Sequence, residues 1–312
     1  MSARPLRPIV LLGPTAAGKS EIALHLAPLL GGEIVGADSR QIYRGLEIGT
    51  AAPSAEDRAR APHHLASFVE PDEIYSAGRY ARDARTVIEE IRSRSATPIV
   101  VGGSGLYLRA LLQGLFRGPE RDEALRAELA SRIEREGLEA LREELRRVDP
   151  EAHAAISPGD PVRVIRALEV HRLTGETITS LRRTRAGASM EAIRFGIRWE
   201  RSALARRIAD RIGDQIRRGF LDQARDLAAR GVPADAPGPR TLGYRELLAH
   251  LAGAVTLEAA LETIALRTRQ LAKRQETWFR KEPGTVWFTI ESADEFPRVA
   301  RAIAEASREE GP

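Results

Sequence analysis

Hydrophobic residues in this chain fall into short apolar runs separated by longer stretches with helical periodicity. Runs of strand length occur at Ile9–Leu12, Pro98–Val101, Phe195–Trp199 and Thr285–Ile290. A stripe of apolar residues at helical spacing occupies residues 77–93. Strands that alternate with helices are typical of α/β proteins, in which helices cover a mostly parallel sheet. The pattern therefore predicts an α/β core.

Two shorter segments complete the predicted strands of the first half of the chain. Glu33–Ala37 is predicted to be a strand, and Ser67–Val69 is a weaker candidate that ends before Pro71. Between them, Ile48–Thr50 is predicted to be part of a loop. These segments place several loops at one end of the sheet.

The pattern changes after Gly114. Helices are predicted at 121–135, 137–147 and 161–173, and this stretch has no β-branched runs. The apolar run Phe195–Trp199 then returns the chain to the sheet. We therefore expect an α-helical insertion domain at 119–192, and an α/β core with C-terminal helices at 1–118 plus 193–312.

The segment Gly13–Ser20 has the spacing Gly-x4-Gly-Lys-Ser and lies between a strand and a helix. Glycines and a helix start direct backbone amides toward an anion. Lys19 can reach phosphate oxygens, and Ser20 can hold a magnesium ion. The segment predicts a P-loop NTPase-like parallel sheet core, with a chance Gly-rich turn as the alternative. The candidate phosphate ligands are Gly13, Pro14, Thr15, Ala16, Ala17, Gly18, Lys19 and Ser20.

A single acidic residue follows the second predicted strand. Asp38 stands at the carboxyl end of that strand, where ligands bind in open parallel sheets. It can serve as a magnesium ligand or as a general base. The strand Pro98–Val101 ends instead in Gly102–Gly105, without an acid. The usual second acid of a nucleoside triphosphatase is therefore missing from its most obvious position, which weakens an ATPase interpretation.

Composition excludes several other classes. The chain has 312 residues and no cysteine, so disulfides, thiolate catalysis and Cys-ligated zinc are excluded. No apolar run is long enough to span a membrane. The short basic stretch before the phosphate loop leaves no room for a signal peptide, and a cytoplasmic location is expected.

Positive charge is concentrated in two segments, although the formal net charge is only +4. Residues 160–219 carry 14 Arg against 7 acidic residues, and residues 267–281 carry 6 Lys or Arg against Glu276. Clustered cations predict a polyanionic partner, whereas solvated helix faces are the alternative.

Several longer stretches share a family pattern that covers most of the chain. They are Gly13–Ser20, Asp38–Thr50, Ala61–His64, Gly102–Tyr107, Asp160–Arg163, Arg166–Glu169, Gly243–Arg245 and Arg269–Arg280. In these stretches, and in their order, the chain resembles the tRNA dimethylallyltransferase (tRNA isopentenyltransferase) family.

The resemblance implies a prenyl transfer. The phosphate loop would bind the diphosphate of dimethylallyl diphosphate, and the acceptor would be the exocyclic N6 amine of the adenosine 3′ of the anticodon. Asp38 is the implied base. Lys19, the loop amides and Mg2+ on Ser20 would stabilise the leaving diphosphate.

Three further residues are assigned through the resemblance. Arg207 and Arg211 lie four apart, and one guanidinium would contact the diphosphate oxygens, with Arg211 favoured as the catalytic one. A helix-surface role is the alternative for both. Ser104 stands where many family members have Thr, and its hydroxyl would hydrogen-bond the base or the amine.

The resemblance also implies contacts to the anticodon stem-loop of tRNA, by a chain that acts as a monomer. For Trp278, stacking on a base and packing in the core remain open, and His63 and His64 are interpreted as structural. The implied RNA contacts are Asp38, Ser39, Arg40, Gln41, Ser104, Arg126, Val162, Arg163, Val164, Ile165, Arg166, Arg240, Thr241, Leu242, Gly243, Tyr244, Arg245, Lys273, Arg274, Gln275, Glu276, Thr277, Trp278, Phe279 and Arg280.

Three alternative functions remain open. A P-loop small-molecule kinase would keep Lys19, Ser20 and Asp38 but would not need the basic helical segments. An adenylate isopentenyltransferase would use the same loop on a free nucleotide. An RNA-binding module with a vestigial phosphate loop is disfavoured by four intact residues, Gly18, Lys19, Ser20 and Asp38.

Overall fold

The computed structural model describes residues 7–115, 118–183 and 189–309. Within these residues, one sheet contains the strands β1 (Ile9–Leu12), β2 (Gly32–Gly36), β3 (His63–His64), β4 (Thr97–Gly102), β5 (Ile193–Trp199) and β6 (Thr285–Ile290). The strand order is β3-β2-β4-β1-β5-β6, and every neighbouring pair is parallel.

Helices connect these strands, and a 3-10 turn at Ala293–Glu295 precedes the last of them. They are α1 (Lys19–Leu30), α2 (Glu47–Thr50), α3 (Ala55–Arg60), α4 (Ala77–Ser93), α5 (Gly105–Gln113), α6 (Glu123–Glu136), α7 (Leu138–Val148), α8 (Pro150–Ala155), α9 (Pro161–Thr174), α10 (Ile178–Arg183), α11 (Arg201–Arg217), α12 (Phe220–Ala229), α13 (Tyr244–Leu251), α14 (Leu257–Phe279) and α15 (Phe296–Glu309).

The predicted fold class, a parallel sheet flanked by helices, is confirmed. Strand β1 lies between β4 and β5, and its four residues are almost completely buried. In the register of the sheet, Leu12 pairs with both Gly102 and Gly196. The carboxyl ends of β1 and β4 are therefore level, which brings the phosphate loop and the glycine turn after β4 to the same edge.

The chain divides into two compact units, of which the second runs from Gln113 to Ser189. It is helical and has its own core, in which Leu129, Leu141 and Leu168 are fully buried. The sequence pattern predicts this insertion at 119–192; residues 184–188 of that range lie outside the described residues. The described residues on either side of the insertion form the α/β unit.

Two local predictions are wrong. The third strand is His63–His64 rather than Ser67–Val69, because Leu65 and Ser67 adopt positive φ angles of 56° and 55° that end the extended chain. Val69 forms only an isolated bridge with Tyr43. In addition, the segment predicted as a loop at Ile48–Thr50 is part of α2.

Among the described residues, no helix combines the length and the apolar character that a membrane crossing needs.

Candidate active site

The phosphate loop joins β1 to α1 at the centre of the sheet edge. Gly18, the residue before α1, has a φ of 85°, and a Cβ atom there would lie 2.3 Å from the Phe296 ring. Both facts require glycine at this position. Within the described part of the chain, no side chain caps the start of α1. Its first amides and the positive end of its dipole are therefore available to an anion.

Lys19 crosses the loop from the first turn of α1. Its Nζ donates a hydrogen bond to the carbonyl of Pro14 at 2.7 Å. The pKa of Lys19 is lowered to about 8, chiefly by burial; the Asp38 carboxylate opposes this shift, and the nearby Arg211 contributes to it. Lys19, Arg211 and Asp38 are thus electrostatically coupled, although they belong to three separate elements.

Asp38 lies at the carboxyl end of β2, with one carboxylate oxygen held and the other open. Its Oδ1 accepts a hydrogen bond from the amide of Arg40 at 2.9 Å. Its Oδ2 receives no hydrogen bond from the described residues and faces Gly103, where a Cβ atom would lie 3.8 Å from it. The open oxygen is placed to accept a proton from a bound molecule.

The two glycines at the start of the turn after β4 lie too close to neighbouring atoms for side chains there. A Cβ atom on Gly102 would lie 2.0 Å from the carbonyl oxygen of Ala37, and one on Gly103 would lie 2.4 Å from Nε2 of Gln275. These clashes involve backbone and a half-buried amide. The acid expected here in a nucleoside triphosphatase is therefore absent for a steric reason.

Ser104 connects this turn to the Asp38 segment. Its Oγ accepts a hydrogen bond from the amide of Ser39 at 2.8 Å and donates to the Ser39 hydroxyl at 3.1 Å. The amide of Ser104 donates to Ala37 at 3.1 Å. In this arrangement the Ser104 hydroxyl fixes the backbone beside Asp38. The predicted contact of Ser104 to the acceptor base stays a prediction.

Two arginines from α11 face the loop from the opposite side. Arg211 Nη1 lies 3.5 Å from Thr15 Oγ1, and its Nη2 donates to the Thr50 carbonyl at 3.2 Å. Arg207 Nε donates to the carbonyl of Ala16 at 3.0 Å. Burial lowers the pKa of both guanidinium groups. Neither arginine lies on a free helix surface, so the structure disfavours that alternative.

Sequence reasoning missed the residue that supports Arg207. Trp199, at the end of β5, donates from Nε1 to the carbonyl of Ala17 at 3.0 Å. The Arg207 guanidinium lies 4.2 Å from the centre of its ring. The indole thus holds both the loop backbone and the arginine. A tryptophan at a strand end is usually a core residue, so no sequence signal marked it.

Helix α2 closes one side of the loop region and is held by side chains from distant elements. Gln215 donates to the carbonyls of Ile48 and Gly49, at 2.8 and 3.0 Å. The Gly49 amide donates to the hydroxyl of Tyr244 at 3.1 Å, and that hydroxyl donates to Gln223. Tyr244 is fully buried in this structure, and its predicted RNA contact stays a prediction.

Other predicted RNA contacts also belong to the interior. Side chains buried in the two cores, and the closely packed Gly243, present little surface in this structure, and the RNA contacts predicted for them stay predictions. Gln41 uses its amide to donate to the carbonyls of Thr50 and Ala51. The buried positions among the predicted contacts are Val164, Thr241, Gly243, Tyr244 and Phe279, and Ile165 and Leu242 are partly buried against the cores.

Two predicted cationic contacts of the helical insertion neutralise a buried acid. Glu169 is fully buried and receives hydrogen bonds from Arg126 at 3.0 Å and Arg166 at 2.7 Å. Arg166 also donates to the carbonyl of Pro119 at 2.9 Å. A buried carboxylate needs such partners. By contrast, Arg163 is exposed and lies 3.4 Å from Asp160 at the helix start.

The C-terminal half of α14 and the residues after it carry exposed positive charge. The cations there form no ion pair among the described residues, unlike most arginines of the insertion. The aromatic Trp278 is half-buried beneath the Arg109 guanidinium, which lies 4.2 Å from its ring centre. The exposed cations are Arg269, Lys273, Arg274, Arg280 and Lys281.

The two histidines at the sheet edge have structural partners. His63 Nδ1 lies 2.8 Å from the carbonyl of Ala61, and His64 Nε2 lies 2.7 Å from Glu33. Within the described residues, no group of three or more His, Asp or Glu side chains is arranged to hold a metal.

Fold and site together define an α/β protein with a phosphate loop, an open carboxylate and converging cations at the edge of a parallel sheet. The family model for IPP transferase matches residues 41–282. The chain belongs to this family.

Individual relatives agree with the family match. A tRNA dimethylallyltransferase of Geobacter sulfurreducens is 44% identical over 89% of this chain and 90% of its own length. That of Thermomicrobium roseum is 42% identical, covering 97% of this chain and 93% of its own.

Solved structures show the same fold. The tRNA isopentenylpyrophosphate transferase of Bacillus halodurans has a TM-score of 0.70 and 36% identity, covering 97% of both chains. A eukaryotic dimethylallyltransferase acting on tRNA has a TM-score of 0.80 and 26% identity, covering 96% of this chain and 78% of its own.

Proposed function

We propose that this protein transfers the dimethylallyl group of dimethylallyl diphosphate to the N6 amine of the adenosine 3′ of the anticodon in tRNA. The N6 lone pair attacks C1 of the prenyl group, and the C1–O bond breaks. The diphosphate leaves with the bonding electrons, and the N6 proton passes to Asp38. The products are N6-dimethylallyladenosine in tRNA and diphosphate.

One observation favours prenyl transfer over phosphoryl transfer. The glycine turn after β4 has no space for an acid, and the open carboxylate oxygen near the loop is Asp38 Oδ2. A kinase needs an acid to hold its metal beside the phosphates. The open carboxylate oxygen of Asp38, beside Gly103, instead suits proton removal from the weakly nucleophilic amine.

Hydrogen-bond donors that the fold holds in place would stabilise the negative charge that develops on the leaving diphosphate. Lys19 and Arg211 flank the loop, and the helix start of α1 adds its own backbone amides. Donors that are already oriented stabilise a leaving group without reorganisation. Lys19 and Arg211 both interact electrostatically with the Asp38 carboxylate, which supports a shared site for the proposed base and the leaving-group donors.

The loop also fits Mg2+, which we propose as the cofactor. Ser20 is exposed in the first turn of α1, and its hydroxyl is a hard oxygen donor. Mg2+ typically binds through one or two protein oxygens together with substrate phosphates and water. Ser20 would hold the ion; when bound, Mg2+ neutralises charge on the diphosphate.

RNA binding is supported by the exposed cations of α14 and the residues after it. Arginine and lysine side chains that have no acidic partner in the described part of the chain favour a phosphate backbone. The phosphate loop, Asp38 and both arginines lie in one unit of a single chain, which supports a monomer. With tRNA as substrate, we place the enzyme in the cytoplasm.

The decisive experiment supplies labelled dimethylallyl diphosphate and Mg2+ with either tRNA or AMP, and then analyses the nucleosides. We expect prenylated adenosine from tRNA only. Label in AMP alone would identify an adenylate isopentenyltransferase. If neither acceptor is labelled, a parallel reaction with ATP separates the remaining candidates. ATP consumption would identify a kinase, and RNA binding without any turnover would identify a binding module.

A further inference from the structure

Gln275 of α14 reaches into the site and joins two loops that are far apart in sequence. Its Oε1 accepts a hydrogen bond from the amide of Thr15, in the phosphate loop, at 2.8 Å. Its Nε2 donates to the carbonyl of Gly103, in the turn after β4, at 2.9 Å. Both polar atoms of the Gln275 side chain thus have partners within the protein, and its predicted RNA contact stays a prediction.

This carboxamide lies between the diphosphate side and the acceptor side of the site. Thr15 is the residue whose hydroxyl Arg211 approaches. Gly103 precedes Ser104, whose hydroxyl holds the backbone next to Asp38. One end of the amide thus holds the phosphate loop, and the other end holds the turn that precedes Ser104.

The chemistry at this position requires an amide. One end must accept from an N–H group, and the other must donate to a carbonyl; glutamine provides both and carries no charge. Glutamate would keep the acceptor for Thr15 but would place a carboxylate against the Gly103 carbonyl. Methionine has a similar shape but would leave both backbone groups without their partner.

The same helix presents the cations proposed to contact RNA. Lys273 and Arg274 directly precede Gln275 and are exposed. One turn later, Trp278 covers Gly105, where a Cβ atom would lie 2.3 Å from the indole Nε1. Helix α14 thus contacts the turn at Gly103 and at Gly105, so the position of this helix bears directly on the position of the turn.

We propose that Gln275 is a positioning residue that couples the two substrates, so that RNA on α14 orders the phosphate loop and the diphosphate binds more tightly. This inference rests on the proposed function. Coupling between two binding sites is reciprocal, so diphosphate must also tighten RNA binding by the same factor.

The test measures this coupling directly. Inorganic diphosphate with Mg2+ is titrated calorimetrically into the full-length protein, with and without a saturating anticodon stem-loop RNA. For the wild type, we expect RNA to tighten diphosphate binding by at least about fivefold. For Gln275→Met and Gln275→Glu, we expect the ratio to fall to within about twofold of one.

A matched control lies on the same helix. Gln270 is exposed on α14, and Gln270→Met should keep the wild-type ratio. A wild-type ratio of one, or an unchanged ratio in Gln275→Met, would overturn the inference. A purely structural role would lower the melting temperature and leave the coupling ratio intact.

A second measurement needs only the wild type, in case the variants do not fold. Amide hydrogen exchange should show that RNA alone slows exchange at the phosphate loop around Thr15; unchanged exchange there would also reject the coupling. The labelled-prenyl assay separates the two proposals. Coupled binding without transfer would refute the proposed function alone, whereas transfer without coupling would refute only the role of Gln275.

Discussion

The guanidinium of Arg211 approaches the hydroxyl of Thr15 at 3.5 Å, across 196 positions of sequence. Arg207, one turn earlier on α11, instead donates to the Ala16 carbonyl and stacks on Trp199. The two arginines therefore have different tasks. Arg211 points toward the loop residues proposed to hold the diphosphate, and Arg207 supports the loop backbone.

Arg211→Ala should lower kcat/KM for prenyl transfer by about 100- to 1,000-fold, the usual cost of losing an oriented charge donor. Arg207→Ala should cost less and should mainly lower thermal stability, because it loses the bond to Ala16 and the stacking on Trp199. Steady-state kinetics and melting curves of both variants check this. A larger kinetic defect in Arg207→Ala would reverse the assignment.

Asp38→Asn should abolish most turnover, by about 100- to 10,000-fold, because the amide cannot accept the N6 proton. Asparagine keeps an oxygen for the amide of Arg40, so the turn should persist. RNA affinity, measured by filter binding, should change by less than about threefold. Turnover near the wild-type rate would remove Asp38 from the role of base.

The pH dependence of diphosphate binding should report Lys19. Its pKa is lowered to about 8, so its ammonium group loses its proton as the pH rises through that value. The charged form attracts the anion, so affinity is highest below pH 8 and should fall above it, by up to about tenfold per pH unit.

A diphosphate monoester is the suitable ligand for this titration, because phosphate monoesters ionise near pH 6 and stay ionised above pH 7. Lys19→Arg serves as the control, since a guanidinium keeps its charge throughout. Its affinity should stay flat between pH 7 and 9. A wild-type profile that is equally flat would contradict the shifted pKa.

Tyr244→Phe should destabilise the protein by about 1–3 kcal/mol, because it removes the buried hydroxyl that accepts from the amide of Gly49 and donates to Gln223. RNA affinity of the folded variant should not change, since Tyr244 is buried. Urea unfolding and RNA titration measure the two effects.

Tyr80 offers a matched control for that change. It is also fully buried, but its hydroxyl forms no hydrogen bond among the described residues. Tyr80→Phe should therefore cost little stability. Equal destabilisation by the two substitutions would show that the Tyr244 hydrogen bonds contribute nothing beyond burial.

Arg163→Ala should weaken RNA binding and reduce the slope of log affinity against log salt by about one. Arg163 is exposed on the helical insertion and lies 3.4 Å from its partner Asp160. Arg166→Ala should instead destabilise the insertion, because it removes one of the two arginines that neutralise the buried carboxylate of Glu169. Unchanged salt dependence in Arg163→Ala would exclude a phosphate contact there.

Sequence reasoning identified the parts of the site that follow from local pattern. The phosphate loop is encoded in eight consecutive residues, Gly13–Ser20, whose conformation depends on glycines and on the adjoining strand and helix. Asp38 could be placed because a parallel sheet aligns the carboxyl ends of its strands. The sequence also shows that no acid follows β4, but the steric crowding that explains its absence is visible only in the structure.

Charge counting was less informative. The excess of arginine in residues 160–219 predicted a polyanion surface, but Arg166 lies against the buried Glu169, and Arg207 and Arg211 lie against the phosphate loop. Which cations remain unpaired depends on where acidic residues from other helices are placed. Arg267 of α14 pairs with Glu246, but in the C-terminal half of the helix such partners are absent from the described surroundings, and the cationic surface remains.

The sequence by itself determined the parallel α/β core, the phosphate loop and the position of Asp38, because each depends on residues within one strand, turn or helix. Tertiary structure decided which residues serve the site from a distance. Gln275 meets Thr15 across 260 positions, and Tyr244 is buried against Gly49 across 195. Such contacts follow from how the helices pack on the sheet. The local periodicity of the sequence does not specify which distant backbone groups a side chain will contact.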